Sequence, residues 1–164
     1  MYSCRLRLCA AHGLFRMQET PGGAFNQIDL VLDSNLESVD KAEHCVMEAG
    51  KTIGLDEDAL HDVGIAVRES MVNAVAHGNR YSSKKKVRLT VRHNREALII
   101  EIVDEGKGFD PEAVPDPRED DNVLRHSGRG LLMIRAFMDE FEIRKQEPQG
   151  TYVRMAKYSR RPAG

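Results

Sequence analysis

Glu69 and Asn73 stand four residues apart in a segment whose apolar residues recur at helical spacing. One turn separates them, so they share a helix face. A carboxylate placed there can take a proton from a hydroxyl as a general base. An amide oxygen beside it can ligate a hard cation such as Mg²⁺, which needs few protein oxygens and keeps its phosphate and water ligands. His77 follows one further turn along.

Two glycine clusters come later. Asp104-Glu105-Gly106-Lys107-Gly108 follows the apolar run Leu98 to Val103. A carboxylate at a strand end can accept a hydrogen bond from an exocyclic amine, and Gly106 and Gly108 leave room for a flat ring against the backbone. Ser127-Gly128-Arg129-Gly130 precedes the run Leu131 to Met138. A glycine pair opening a helix leaves free N–H groups for an anion, aided by the helix dipole. Arg125 and Arg129 add charge suited to phosphate oxygens. Taken singly, these are a solvated helix pair, a strand-to-loop turn and a capped helix start. Three of them in this order are far less expected by chance.

The elements that must position these groups can be read from periodicity. Phe25 to Leu32 alternates in part and predicts a strand. Ser34 or Asn35 caps a helix from Leu36 to Ile53, with Gly54 at its C-terminal end. Asp56 caps a second helix, Glu57 to Ala76, which His77-Gly78-Asn79 ends. On it Leu60, Val63, Val67, Met71 and Ala74 form the apolar stripe that meets a sheet. Lys86 to His93 alternates cleanly, Asn94-Arg95-Glu96 turns the chain, and Ala97 to Val103 returns. Asp104 to Ser127 is a long irregular stretch, and loops of that length in compact domains are usually functional or mobile. A helix from Gly130 to Met138 and strands Glu140 to Lys145 and Thr151 to Tyr158 complete the chain. The order βααββαββ, with strands pairing in hairpins, predicts an α+β two-layer sandwich: a mixed, mostly antiparallel sheet with helices on one face.

Composition bounds the partners. The 164 residues carry 24 basic and 26 acidic side chains, net −2. The first sixteen hold three arginines and no acid, so the remainder has 21 basic against 26 acidic residues, net −5. No basic surplus is available for nucleic acid. No apolar run approaches the ~20 residues that cross a bilayer. Cys4, Cys9 and Cys45 form no CxxC pair, which speaks against a disulfide framework or a zinc site and for a reducing, cytoplasmic compartment. The division expected is a leader over 1–24, a functional domain over 25–158 and a tail over 159–164. The composition break also allows a translation start at Met17.

The stretch Glu69-Ser-Met-Val-Asn73-Ala-Val-Ala-His77-Gly78 resembles the N box of the GHKL ATPase superfamily, which holds gyrase, MutL and the histidine kinases. Asp104-Glu-Gly106-Lys-Gly108 resembles its G1 box, and Gly128-Arg-Gly130-Leu its G2 box. From Phe25 to Tyr158 the chain is most similar to the anti-sigma factor serine kinase branch. The resemblance implies a Bergerat-type sandwich that binds ATP with Mg²⁺. It makes Glu69 the general base and Asn73 the Mg²⁺ ligand. Asp104 becomes the partner of the adenine amino group, with Thr151 beside it and Gly106 and Gly108 making room for the base. Phe109 to Ser127 becomes the lid, and Gly128, Arg129, Gly130 and Leu131 wrap the phosphates. Arg125 stands near the terminal phosphate, and His77 is a candidate to face it. The activity implied is transfer of phosphate to a serine or threonine of an anti-sigma factor antagonist, together with sequestration of a sigma factor, by a homodimer. The alternative is an ATP-sensing module that binds a partner without transferring phosphate.

Overall fold

The structure, a computed structural model, describes residues 24–108 and 126–159. The elements are β1 (Asn26–Asp33), α1 (Leu36–Thr52), α2 (Glu57–Val72), a π-helical turn (Asn73–Gly78), β2 (Lys86–His93), β3 (Ala97–Val103), α3 (His126–Phe137), β4 (Glu140–Lys145) and β5 (Thr151–Tyr158).

Local chemistry sets these boundaries. Asn35 Oδ1 accepts the Ser38 N–H at 2.9 Å and Asp56 Oδ1 accepts the Ala59 N–H at 2.8 Å, so both expected caps form. Gly54 follows α1 with φ +80°, a conformation that favours glycine. Alternation decides the faces of the sheet. Val87, Leu89 and Val91 of β2 and Leu98, Ile100 and Ile102 of β3 are buried. They pack with Val39, Ala42 and Val46 of α1 and Val63, Val67 and Met71 of α2. Each such side chain contributes roughly 1.5–3 kcal/mol when fully buried. The opposite face carries Arg92, paired with Glu101 at 3.0 Å, and Thr90, which donates to Asp29.

The sheet is antiparallel throughout, in the order β1-β2-β3-β5-β4. The chain leaves β3, forms α3, reaches the edge as β4 and returns as β5 between β3 and β4. That return sets Val103 opposite Tyr152. The end of β3 and the start of β5 therefore meet, bringing Asp104 to Thr151. α3 is held over the sheet by Ile134 and Met138, both buried. Lys157 of β5 ties its C-terminal end by donating to the Phe137 carbonyl at 2.6 Å.

Two expected boundaries move. The second helix is not regular to Ala76: it changes at Asn73 to a wider turn, with the Asn79 N–H bonded to the Ala74 carbonyl at 2.8 Å. The change swings Gly78 and Asn79 inward, against the residues after β3. The third helix begins at His126, four residues before Gly130. Among the described residues, no helix is long and apolar enough to cross a membrane.

Candidate nucleotide site

Asp104 forms the closed end of the site. It is 5% exposed. Its N–H donates to the Thr151 carbonyl at 3.1 Å. Its Oδ1 accepts the Gly106 N–H at 2.8 Å and the Thr151 N–H at 3.2 Å. Burial pushes its carboxyl above the ordinary 3.8, against the stabilising pull of those two N–H groups. The other oxygen, Oδ2, lies beside Gly78, where an added Cβ would sit 2.5 Å from it. No larger residue fits at 78 without moving the carboxylate.

Glycines build this end by letting main chain meet main chain. A Cβ on Gly106 would strike the Gly78 backbone, and one on Gly150 would strike the Asp104 carbonyl. Gly150 also holds φ +108° and Gly108 φ +92°. Gly108 lines the cleft, as expected for a residue that leaves room for a ring, and both glycines also permit close packing on the side where a Cβ would stand. The space beside Gly106 is filled by Gly78, and that beside Gly108 by Lys145 and the Gly150 carbonyl.

A cleft of about 120 Å³ opens from Asp104. Ala74, Ile102, Leu131, Ile134, Ile143 and Val153 make its walls apolar, and Ser70, Asn73, His77, Asp104 and Thr151 supply polar groups. This is room for several waters but less than the ~300–1,000 Å³ of pockets enclosing a whole drug-sized ligand. It suits a flat ring, with the rest of the ligand running outward past α2 and α3.

Asn73 and Glu69 mark that outward path, both half-buried. Asn73 lines the cleft wall where α2 gives way to the π-turn. Glu69 lies beyond the wall, and its carboxylate rests against Gly130 of α3, so closely that a Cβ there would require the Glu69 side chain to shift. His77 is exposed at the rim. Leu131 is a wall residue, and Arg129 is exposed. Because α3 starts at His126, the free N–H groups of its first turn belong to residues 126–128, Gly128 among them. Arg125, and residues 109–125 of the expected lid Phe109 to Ser127, lie outside the described residues.

A cation is tested by the donors present. Among the described residues no three His, Cys, Asp or Glu side chains group as a metal cage. The Asn73 amide on the cleft wall suits a cation that arrives with phosphates and keeps most of its own ligands.

Several contributors were not singled out from sequence. Ser70 is buried in the wall, its hydroxyl 3.5 Å from the Met155 sulfur. Gly78, Asn79 and Gly150 frame Asp104. Gly78 closes the stretch that resembles the N box but was given no role there; the signals of the other two were an asparagine at a helix end and a turn glycine.

The chain matches the histidine kinase-like ATPase domain family over residues 32–157. It is 26% identical over 140 residues to the serine-protein kinase RsbW of Oceanobacillus iheyensis, covering 82% of this chain and 87% of that one. It is 30% identical over 131 residues to an anti-sigma F factor of Clostridium botulinum, covering 75% and 92%. A crystal structure of the RsbU and RsbW domains of a Mycobacterium tuberculosis protein shares the fold, with TM-score 0.58 and 21% identity. The similarity covers 82% of this chain and 33% of that longer one. With a match over most of its length, the chain belongs to the histidine kinase-like ATPase domain family, which makes ATP its ligand.

Proposed function

We propose that this protein is an anti-sigma factor and an ATP-dependent serine/threonine kinase whose substrate is an anti-sigma factor antagonist. One observation carries the reading. Asn73 lines a cleft that also holds the buried carboxylate of Asp104, and Glu69 lies one turn before Asn73 on the same helix, just outside that lining. The names of the relatives, a serine-protein kinase and anti-sigma F factors, supply the partner class.

In this reading Asp104 accepts the adenine amine through Oδ2, since Oδ1 already holds two N–H groups. Thr151 lies beside it. The phosphates run outward toward the first turn of α3, where free N–H groups and Arg129 counter their charge. Asn73 would hold Mg²⁺, which would supply charge neutralisation at the phosphates. Glu69 orients the incoming serine or threonine hydroxyl and takes its proton. The hydroxyl oxygen bonds to the terminal phosphorus as the bond to the ADP oxygen breaks. Positioning and charge neutralisation make up most of such catalysis. A phosphorylated antagonist dissociates, and the free kinase holds the sigma factor. The acidic body outside the leader suits docking on basic partner surfaces.

Transfer of labelled phosphate from ATP to an antagonist, wild type against Glu69→Ala, tests the reading. General-base removal should lower the rate by about 10²–10⁴-fold. ATP affinity by calorimetry should hardly change. Undiminished transfer by Glu69→Ala removes the base assignment, and no transfer by the wild type leaves an ATP-sensing binder.

A further inference from the structure

Asn79 is 1% exposed, and its side-chain amide makes three hydrogen bonds inside the protein. Its Nδ2 donates to Ser34 Oγ at 2.8 Å and to the Lys86 carbonyl at 2.9 Å. Its Oδ1 accepts the Glu105 N–H at 2.8 Å. The amide orientation follows from its partners, because a carbonyl can only accept and an N–H can only donate. Ser34 in turn donates to the Lys85 carbonyl at 2.6 Å, and Glu105 Oε2 accepts the Lys86 N–H at 2.5 Å. Each of these groups is paired, so the unit holds the Asn79 amide in one orientation through more than one partner.

Its location gives the unit a task. Residues 78–79 and 104–106 run side by side. Gly78 packs on the Asp104 carboxylate and on Gly106, and Asn79 grips Glu105, the residue between them. Asp104 is therefore held from its own two N–H donors and from the neighbour that Asn79 pins.

We propose that Asn79 is a positioning residue for base selectivity: its grip on the Glu105 N–H aims Asp104 at the exocyclic amine of the purine. The proposal rests on Asp104 as the group that recognises that amine. Without the grip, Asp104 keeps its bonds to Thr151 but loses the anchor on its neighbour Glu105, and the carboxylate loses its aim before the cleft loses its shape. Amine-bearing and amine-free purines then bind alike. A residue that only stabilised the fold would weaken both equally.

The test compares Mg-ATP with Mg-ITP, whose base carries a carbonyl where adenine carries the amine, by calorimetry on the full chain. Wild type should prefer ATP roughly tenfold or more, the scale of a hydrogen bond to a charged acceptor. Asn79→Ala should bring that ratio down by about tenfold, mostly through weaker ATP binding. Asn79→Ser, a milder packing loss whose hydroxyl is too short to reach Glu105, should do the same if the alanine variant does not fold. Ser34→Ala breaks the network at the far side of Asn79. It should lower the melting temperature and leave the ratio intact. An unchanged ratio in the Asn79 variants, or an equal collapse in Ser34→Ala, overturns the positioning role while leaving Asp104 in place. A wild type without preference overturns the Asp104 reading itself, and the role of Asn79 with it.

Discussion

The two ends of the cleft are built from different materials. At the closed end, the positions around Asp104 are set by main chain: N–H groups from Gly106 and Thr151, and close approaches at Gly78, Gly106 and Gly150. At the open end, Glu69 and Asn73 are half-buried side chains on one helix, meeting α3 from another part of the chain. The closed end has almost no freedom, since moving any part of it moves a backbone. The open end depends on how two helices sit against each other. Selectivity for a base needs the first kind of construction. Accepting a protein hydroxyl and releasing products needs the second, because elements that move are drawn from less tightly packed regions.

The comparison is broken most forcefully at the open end. Asn73→Ala removes the amide oxygen from the cleft wall. If the open end governs chemistry and the closed end binding, phosphoryl transfer should fall by about 10²–10³-fold, the scale for losing one charge-stabilising group. ATP preference over ITP should stay, because Asp104 and its N–H donors are untouched. Loss of the preference along with the rate would mean that the ends are not separable.

The closed end should break by overpacking. At Gly78 a methyl group would meet the Asp104 carboxylate, with Cγ and Oδ2 both 2.5 Å away. Gly78→Ala should cost about 1–3 kcal/mol in unfolding free energy, the range for overfilled interiors. It should also abolish most of the ATP preference. Thermal melts and calorimetry on the same samples read both. A stable variant with intact preference would show a softer closed end than its glycines suggest.

Most of the fold was legible in the sequence, and the reasons lie in particular residues. The alternation of Val87, Leu89 and Val91 and the caps at Asn35 and Asp56 are local signals, and each element they announced is present. The chemical residues were legible because each belongs to a short motif. The π-turn at Asn73–Gly78 was not, because it answers to a distant demand: Gly78 and Asn79 must reach residues 104–106. Nor was the early start of α3. Glycines at 128 and 130 suggest a helix beginning after them, since each costs roughly 0.5–1 kcal/mol inside a helix relative to alanine. Gly130 lies inside nonetheless, because Glu69 occupies the space its side chain would need. Gly106 shows a related limit: a glycine announces close approach, but the sequence does not say that Gly78 is among the groups that approach.

The contact between Gly130 and Glu69 is where the open end can be sharpened. Gly130→Ala places a methyl group where the Glu69 carboxylate rests. The single variant should be destabilised, and the destabilisation should largely vanish in a Glu69→Ala background. A double-mutant cycle on unfolding free energies should give a coupling of about 1 kcal/mol, within the 0.5–3 kcal/mol seen for touching residues. The same substitution should lower transfer more than ATP affinity. Additive effects would mean that α3 yields to the methyl group, and that the base does not depend on where α3 sits.

The smallest effect is a pH dependence, and it separates the ends by sign. Burial raises the Asp104 pKa above 3.8, so the folded protein holds that proton more tightly than the unfolded chain. The resulting stability is fully present below about 3.8, the unfolded value, and is lost as pH rises through the folded pKa. Exposed carboxylates such as Asp33, lowered chiefly by its hydrogen bond to Lys86, act in the opposite sense: their contribution is present above the unfolded value and lost as pH falls through the folded one. Those groups are common to wild type and Asp104→Asn and cancel in the comparison. The melting temperature of Asp104→Asn minus that of wild type should therefore grow as pH climbs through the acidic range, then level off. Saturating Mg-ATP should shrink the difference at neutral pH, since the ligand that pairs with the carboxylate stabilises only the protein that binds it well. A flat difference without nucleotide would mean that the N–H groups of Gly106 and Thr151 fully offset burial. The closed end would then carry no electrostatic penalty for ATP to relieve.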